Sequence, residues 1–212
     1  MANGSTPQER KRKARAPRQE RGIQTKELIV QAAQRLFAAN GFHKTSSKQI
    51  VREAGVSVGS FYGYYDDKKA VFIDVIAAHA LQVMERIRAS LAKPDLGDDP
   101  RSMIAAMVDM AIEAHSTDKE LHREAITMRY TDADIARILN DYEDEVTTML
   151  VPYLDVLGEQ IKATDHEAAS RLIFLAVEEI VHSLTLFGSK IDTGRLVQEL
   201  KDMLYRYLFG TD

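Results

Sequence analysis

Two short helical patterns meet at Gly55, and that junction constrains the chain more than any other stretch in it. Thr45 can cap a first helix whose apolar residues Ile50, Val51 and Ala54 recur at helical spacing. Gly55 supplies the left-handed residue that stops such a helix, and Ser57 offers a fresh N-cap to a second helix carrying Phe61, Tyr62 and Tyr65. Two short helices around a tight turn opening on Gly form the helix-turn-helix pattern. In that unit the second helix enters the DNA major groove with its first residues toward the base edges. Here those are Ser57, Val58, Gly59 and Ser60, small, rich in hydroxyl and free of acidic charge. The same turn also occurs in helical proteins that never touch DNA, so its flanks have to decide.

The charge distribution favours nucleic acid. The net charge of −4 argues against it when taken over the whole chain. Residues 1–69, however, hold fourteen Lys and Arg against six Asp and Glu, whereas the remainder holds fourteen against twenty-six. One basic end can dock on phosphate while the acidic part is repelled. With no cysteine there is no disulfide, no thiolate nucleophile and no Cys-ligated zinc, which fits a cytoplasmic location. No apolar run reaches the length of a membrane span, and no apolar segment follows the basic N-terminus as in a secretory signal.

Residues 1–22, with Arg10 to Arg15 reading RKRKAR, are expected to be a disordered basic arm that adds phosphate or minor-groove contacts; a solvated tail is the plainer account. Over 25–40, Ile29, Ala32, Ala33, Leu36 and Phe37 make one helical face, closed by Gly41, with Phe42 packing back on it. Residues 23–67 thus form a three-helix reading head. Asp66 and Asp67 can cap a long helix over 68–91, and residues 93–100 (KPDLGDDP) read as a loop. Further helices are expected over 100–115, 119–129, 132–157 (with a kink at Pro152), 165–187 and 194–209. No strand and no repeat is evident, so the fold class is all-α: a DNA-binding domain to residue 67 and a larger helical domain over 68–212.

The span from Thr25 to Phe72 resembles the N-terminal domain of TetR-family transcriptional regulators. The resemblance rests on Ala32 to Phe42 (AAQRLFAANGF), Thr45, Ile50 to Ser57 (IVREAGVS), Gly59 to Tyr62 (GSFY), the Tyr64-Tyr65 pair and Lys68. It covers about a quarter of the chain. It implies a homodimer that binds a near-palindromic double-stranded operator and usually represses. The helices over 165–187 and 194–209 would pair with those of a second copy. The central helices would enclose a small-molecule effector pocket, and ligand would shift the helix over 68–91. A dimer must hold its two recognition helices roughly 34–36 Å apart, one DNA turn, or a multiple of it, so a small swing is costly.

Carried over by position, Thr45 and Lys48 should touch phosphate, Ser57, Val58, Gly59 and Ser60 should lie at the groove, and Tyr62 and Lys68 should anchor phosphates. Gly63 and Tyr64 belong to the same surface. Val58 stands where family members commonly carry a basic or polar residue, and Gly63 where they often carry His. Val58 could contact a thymine methyl, and Gly63 removes one contact and is expected to fray the recognition helix.

For the effector, Met103, Met107 and Met110 are adaptable pocket side chains or ordinary core. Glu178 and His182, four apart on a very apolar helix, either pair with each other or lend polar contacts to an apolar pocket. His79 and Tyr142 are candidates of the same kind. An enzyme is not expected. Di-iron bundles use two Glu-x-x-His motifs, and this chain has one, Glu179 to His182, so neither a metal nor another cofactor is expected. A constitutive DNA-binding protein is the nearer rival, but it would need no pocket.

Overall fold

Residues 18–91, 99–116 and 118–210 are described by a computed structural model. Nine α-helices account for nearly all of them: α1 Arg18–Asn40, α2 Ser47–Ala54, α3 Val58–Tyr62, α4 Lys68–Leu91, α5 Pro100–Ser116, α6 Lys119–Met128, α7 Ala133–Leu157, α8 His166–His182 and α9 Thr193–Phe209. There is no strand among the described residues, as the sequence patterns predict.

The helix ends follow local chemistry. Asp67, Asp132, Asp165 and Asp192 each accept a backbone N–H of the helix that follows, satisfying donors that a helix leaves open. Gly55 takes φ 66°, where a Cβ would be strained, and turns the chain from α2 into α3. Two expectations change. Ser46, not Thr45, caps α2, its side chain accepting from Gln49 N while the Gln49 side chain accepts from Ser46 N. Thr45 is instead 2 % exposed and its hydroxyl donates to the carbonyls of Gly41 and Leu36, tying the loop to the end of α1. Second, α1 already covers residues 18–22, which the sequence patterns place in the arm; Arg, Gln and Glu are good helix formers. The rest of the arm, and most of the 93–100 loop, lie outside the described residues.

The expected single helix over 165–187 is α8 followed by a turn of π-helix, Ser183–Phe187. Helix α7 continues through Pro152.

Two main cores form. In the first, Phe37 of α1, Phe42 of the loop and Phe72 of α4 pack ring to ring at 4.9 to 5.8 Å, with Phe61 of α3 fully buried beside them. Leu121 and Ala125 of α6 and Ile135 and Leu139 of α7 belong to that same core. The reading head is therefore seated on the helices that follow it. The second core joins α5, α7, α8 and α9 through residues such as Val108, Leu154, Val177, Val181 and Leu204.

Candidate nucleic-acid interface and effector pocket

Helix α3 is only five residues long, too short to hold by itself. It is held by Phe61, 0 % exposed, and by Ser57, whose Oγ accepts from Ser60 N at 2.9 Å. The Ser57 and Ser60 hydroxyls also bond each other at 2.8 Å. With the helix anchored from below, its other face stays open: Val58 is 58 % and Tyr62 55 % exposed, and Gly59, Gly63 and Tyr64 are exposed beside them. Gly63 adopts right-handed helical angles and its N–H donates to Gly59 O at 3.1 Å, so the end of α3 is closed rather than frayed. Lys48 is exposed on the neighbouring helix.

Two candidates point inward instead. Thr45 is buried as described. Lys68 Nζ donates to Phe42 O at 2.7 Å and Thr45 O at 3.0 Å and lies 4.2 Å from the centre of the Phe42 ring. These two bonds tie the start of α4 to the loop after α1, so Lys68 has a capping role in the fold whatever else its third N–H meets. Lys68→Ala should cost about 2 kcal/mol of folding free energy, the value of hydrogen bonds to a charged group. The denaturation midpoint measures this; unchanged stability would mean that the two carbonyl bonds do not hold the loop.

A narrow apolar cavity lies between α4, α5, α7 and α8. Val83 and Ile87 come from α4, Met107 and Met110 from α5, Tyr142 and Val146 from α7, and Phe174 and Val177 from α8. The space open to the centre of a water molecule is about 70 Å³. Its polar residues are Arg86, His115, Tyr142 and Glu178. Of the effector candidates, Met107, Met110, Tyr142 and Glu178 thus line one cavity. Met103 does not; it packs in the second core and its Sδ accepts from Tyr153 Oη at 3.1 Å. His79 is buried on α4, its ring 6.0 Å from that of His122.

At one end of the cavity Glu178 meets two imidazoles, and a third lies against one of them. His115 Nε2 and His182 Nε2 each lie 3.2 Å from Glu178 Oε2, and His122 Nε2 lies 3.1 Å from His182 Nε2. Burial by itself would raise the Glu178 carboxyl, but the hydrogen bonds and charge of His115 and His182 hold it well below the usual carboxylate range. Burial opposes protonation of His115 too, yet Glu178 raises it above an ordinary histidine. His122 is pushed down to about 3, by burial first and then by the like charge of its two neighbours. Glu179, the other half of the Glu-x-x-His pattern, is exposed. Neither His115 nor His122 stands out in the sequence, since they lie on different helices from Glu178 and at no spacing known for a site.

No helix among the described residues is long and apolar enough to cross a membrane. Residues 29–75 match the family model described as bacterial regulatory proteins, tetR family, and residues 99–208 match that of the tetracyclin repressor-like C-terminal domain. The chain is 24% identical over 192 residues to the uncharacterized HTH-type transcriptional regulator YdgC of Bacillus subtilis, covering 87% of this chain and 92% of the relative. It is 24% identical over 184 residues to the fatty acid metabolism regulator protein of the same organism, covering 83% and 91%. The solved structure of a fatty acid degradation regulator from Bacillus halodurans shares the fold, with TM-score 0.62, 22% identity and coverage of 91% of this chain and 96% of that one. The all-α architecture, the helix-turn-helix and both matched segments agree, and the chain belongs to the TetR family of bacterial transcriptional regulators.

Proposed function

We propose that the protein is a ligand-responsive repressor of the cytoplasm that binds a near-palindromic operator as a homodimer and is released by an apolar or amphipathic small molecule. The observation that carries the DNA-binding part is the open face of α3: a small-residue surface from Ser57 to Ser60, with Val58 and Tyr62 more than half exposed, on a helix rooted by a fully buried Phe61. Dimerisation is supported by apolar residues left open on α8 and α9. Leu172 is 55 % exposed, Leu175 47 %, Met203 48 % and Tyr207 40 %, more than a helix pair facing water normally keeps.

The narrowness of the cavity supplies the mechanism. Ligand sites commonly measure hundreds of Å³. An effector can enter this one only by displacing side chains, and Val83 and Ile87 on α4 are among those it would push. Helix α4 carries Phe72 into the reading-head core, so its displacement moves α1 to α3. Arg86 at the cavity offers a cation to an acidic head group. The Bacillus subtilis relative is by name a regulator of fatty acid metabolism, and an acyl chain has the apolarity this cavity requires.

The test is binding to DNA from upstream of the protein's own gene. A dimer should shift it, with affinity falling about 1,000-fold between 50 and 200 mM salt. Val58→Glu, which sets a carboxylate against the duplex, should weaken binding by roughly 100-fold without loss of stability. A protein that stays monomeric, or binds unrelated DNA equally well, would be a different kind of molecule.

A further inference from the structure

We propose that His115, His122, Glu178 and His182 form a binding site for one divalent transition-metal ion of the zinc class. Their four ligand atoms all lie within 4.8 Å of one another. A tetrahedral zinc ion, with bonds of about 2.0–2.1 Å, needs ligand atoms about 3.3–3.4 Å apart. Three of the pairs already stand at 3.1 to 3.2 Å. The three ring centres form a triangle with sides of 4.6, 5.0 and 5.1 Å, so the imidazoles are arranged about a common point rather than stacked.

Hydrogen bonding supports the same conclusion. His115 Nδ1 lies 2.7 Å from Ala111 O, a carbonyl that can only accept, so this nitrogen carries the proton. In the neutral ring, Nε2 is then a lone pair, and it points at a carboxylate oxygen. The Nε2 atoms of His122 and His182 also face each other, and two N–H groups cannot do so. Protons resolve this only in part: a cationic His115 satisfies Glu178, and a proton on His182 must be shared between Glu178 and His122. One dication accepts all four donor atoms at once, with every imidazole neutral and the Ala111 carbonyl orienting His115 as hydrogen-bond partners of metal-bound histidines do. Imidazole and carboxylate without thiolate suit zinc, cobalt, nickel or copper rather than calcium or magnesium. A path exists, since His122, Glu178 and His182 also line a groove between α6, α7 and α8.

The ligands come from α5, α6 and α8, so the ion would fasten α6 to its neighbours. Helix α6 in turn holds the reading head through Leu121 and Ala125, and Gln34 of α1 donates to Asp118 Oδ2 at 2.8 Å beside its first residue. This linkage to operator binding rests on the regulator reading; the site itself does not.

The experiment is titration of the EDTA-dialysed full chain with Co(II). One equivalent per chain should give the intense visible absorption of four-coordinate cobalt, and Zn(II) should abolish it. His122→Gln and Glu178→Gln should each weaken binding at least about 100-fold, while His79→Gln, outside the set, leaves it unchanged. Should either variant fail to fold, the wild-type melting temperature decides: Zn(II) should raise it and Mg(II) should not. Only the pale spectrum of six-coordinate cobalt, or tight binding that survives both substitutions, would overturn the site. For the linkage, operator affinity should differ at least about fivefold between zinc-loaded and EDTA-treated protein, and not in Glu178→Gln. Equal affinities in the wild type overturn the linkage, and a chain that takes up cobalt as described but binds no operator refutes the regulator reading alone.

Discussion

Phe72→Ala should destabilise the protein by about 4 kcal/mol, the range found when a large aromatic is removed from a core. Phe72 is 0 % exposed and its ring lies 5.1 Å from that of Phe37, edge to face, and 4.9 Å from that of Phe42. Three elements meet at that ring: the end of α1, the loop after it and the first turns of α4. Each is pinned by other bonds, Thr45 to Gly41 O and Lys68 to Phe42 O among them, so the site cannot collapse to fill the hole. Phe72→Leu keeps most of the volume and should cost about 1.5 kcal/mol. Tyr130, 85 % exposed, is the control, and Tyr130→Ala should stay within about 0.5 kcal/mol. Denaturant unfolding at one protein concentration measures all three. A loss below about 1.5 kcal/mol for Phe72→Ala would mean that the aromatic cluster does not hold the reading head.

The second large loss is expected at Glu143. This carboxylate is 2 % exposed on α7, and its two oxygens meet Arg129 Nη2 at 2.6 Å and Arg171 Nη2 at 3.0 Å. Arg129 also donates to Asn140 Oδ1 at 2.7 Å, and Arg171 Nη1 to Asp144 Oδ1 at 2.9 Å. The carboxylate joins α7 to the end of α6 on one side and to α8 on the other. Glu143→Ala removes the common acceptor and leaves two guanidinium groups without it, for a cost of about 3 kcal/mol. The lower end of the range for a broken buried pair applies, because the two Arg side chains are 30% and 43% exposed and can turn to water. Glu143→Gln keeps the shape and one acceptor oxygen, so it should cost about half as much. If alanine and glutamine have the same small effect, the two arginines are held by their outer partners and not by Glu143.

What was legible in the chain is what neighbours in sequence decide. The left-handed Gly55, the Ser57 cap and the short helix that it starts all follow from interactions spanning four residues or fewer. The same holds for the aspartate cap of α4 and for the apolar faces of the long helices. Thr45 shows the limit. Ser46 and Thr45 are equally good caps by type, and the choice between them turned on Gly41 O and Leu36 O, which only the loop geometry brings to Thr45. Lys68 shows the same limit: its bonds to the carbonyls of Phe42 and Thr45 span more than twenty residues, and no local pattern announces them.

By itself the sequence determined the helices, the reading head and the face it presents, because periodicity, caps and turn residues act over a few positions whatever the rest of the molecule does. Only the tertiary structure decided which side chains share a site. His115, His122, Glu178 and His182 lie on three helices, and Met107 lines the cavity while Met103, one turn away, contacts Tyr153. Such groupings depend on how helices cross and rotate against each other, a property of packed faces that no spacing along one chain records.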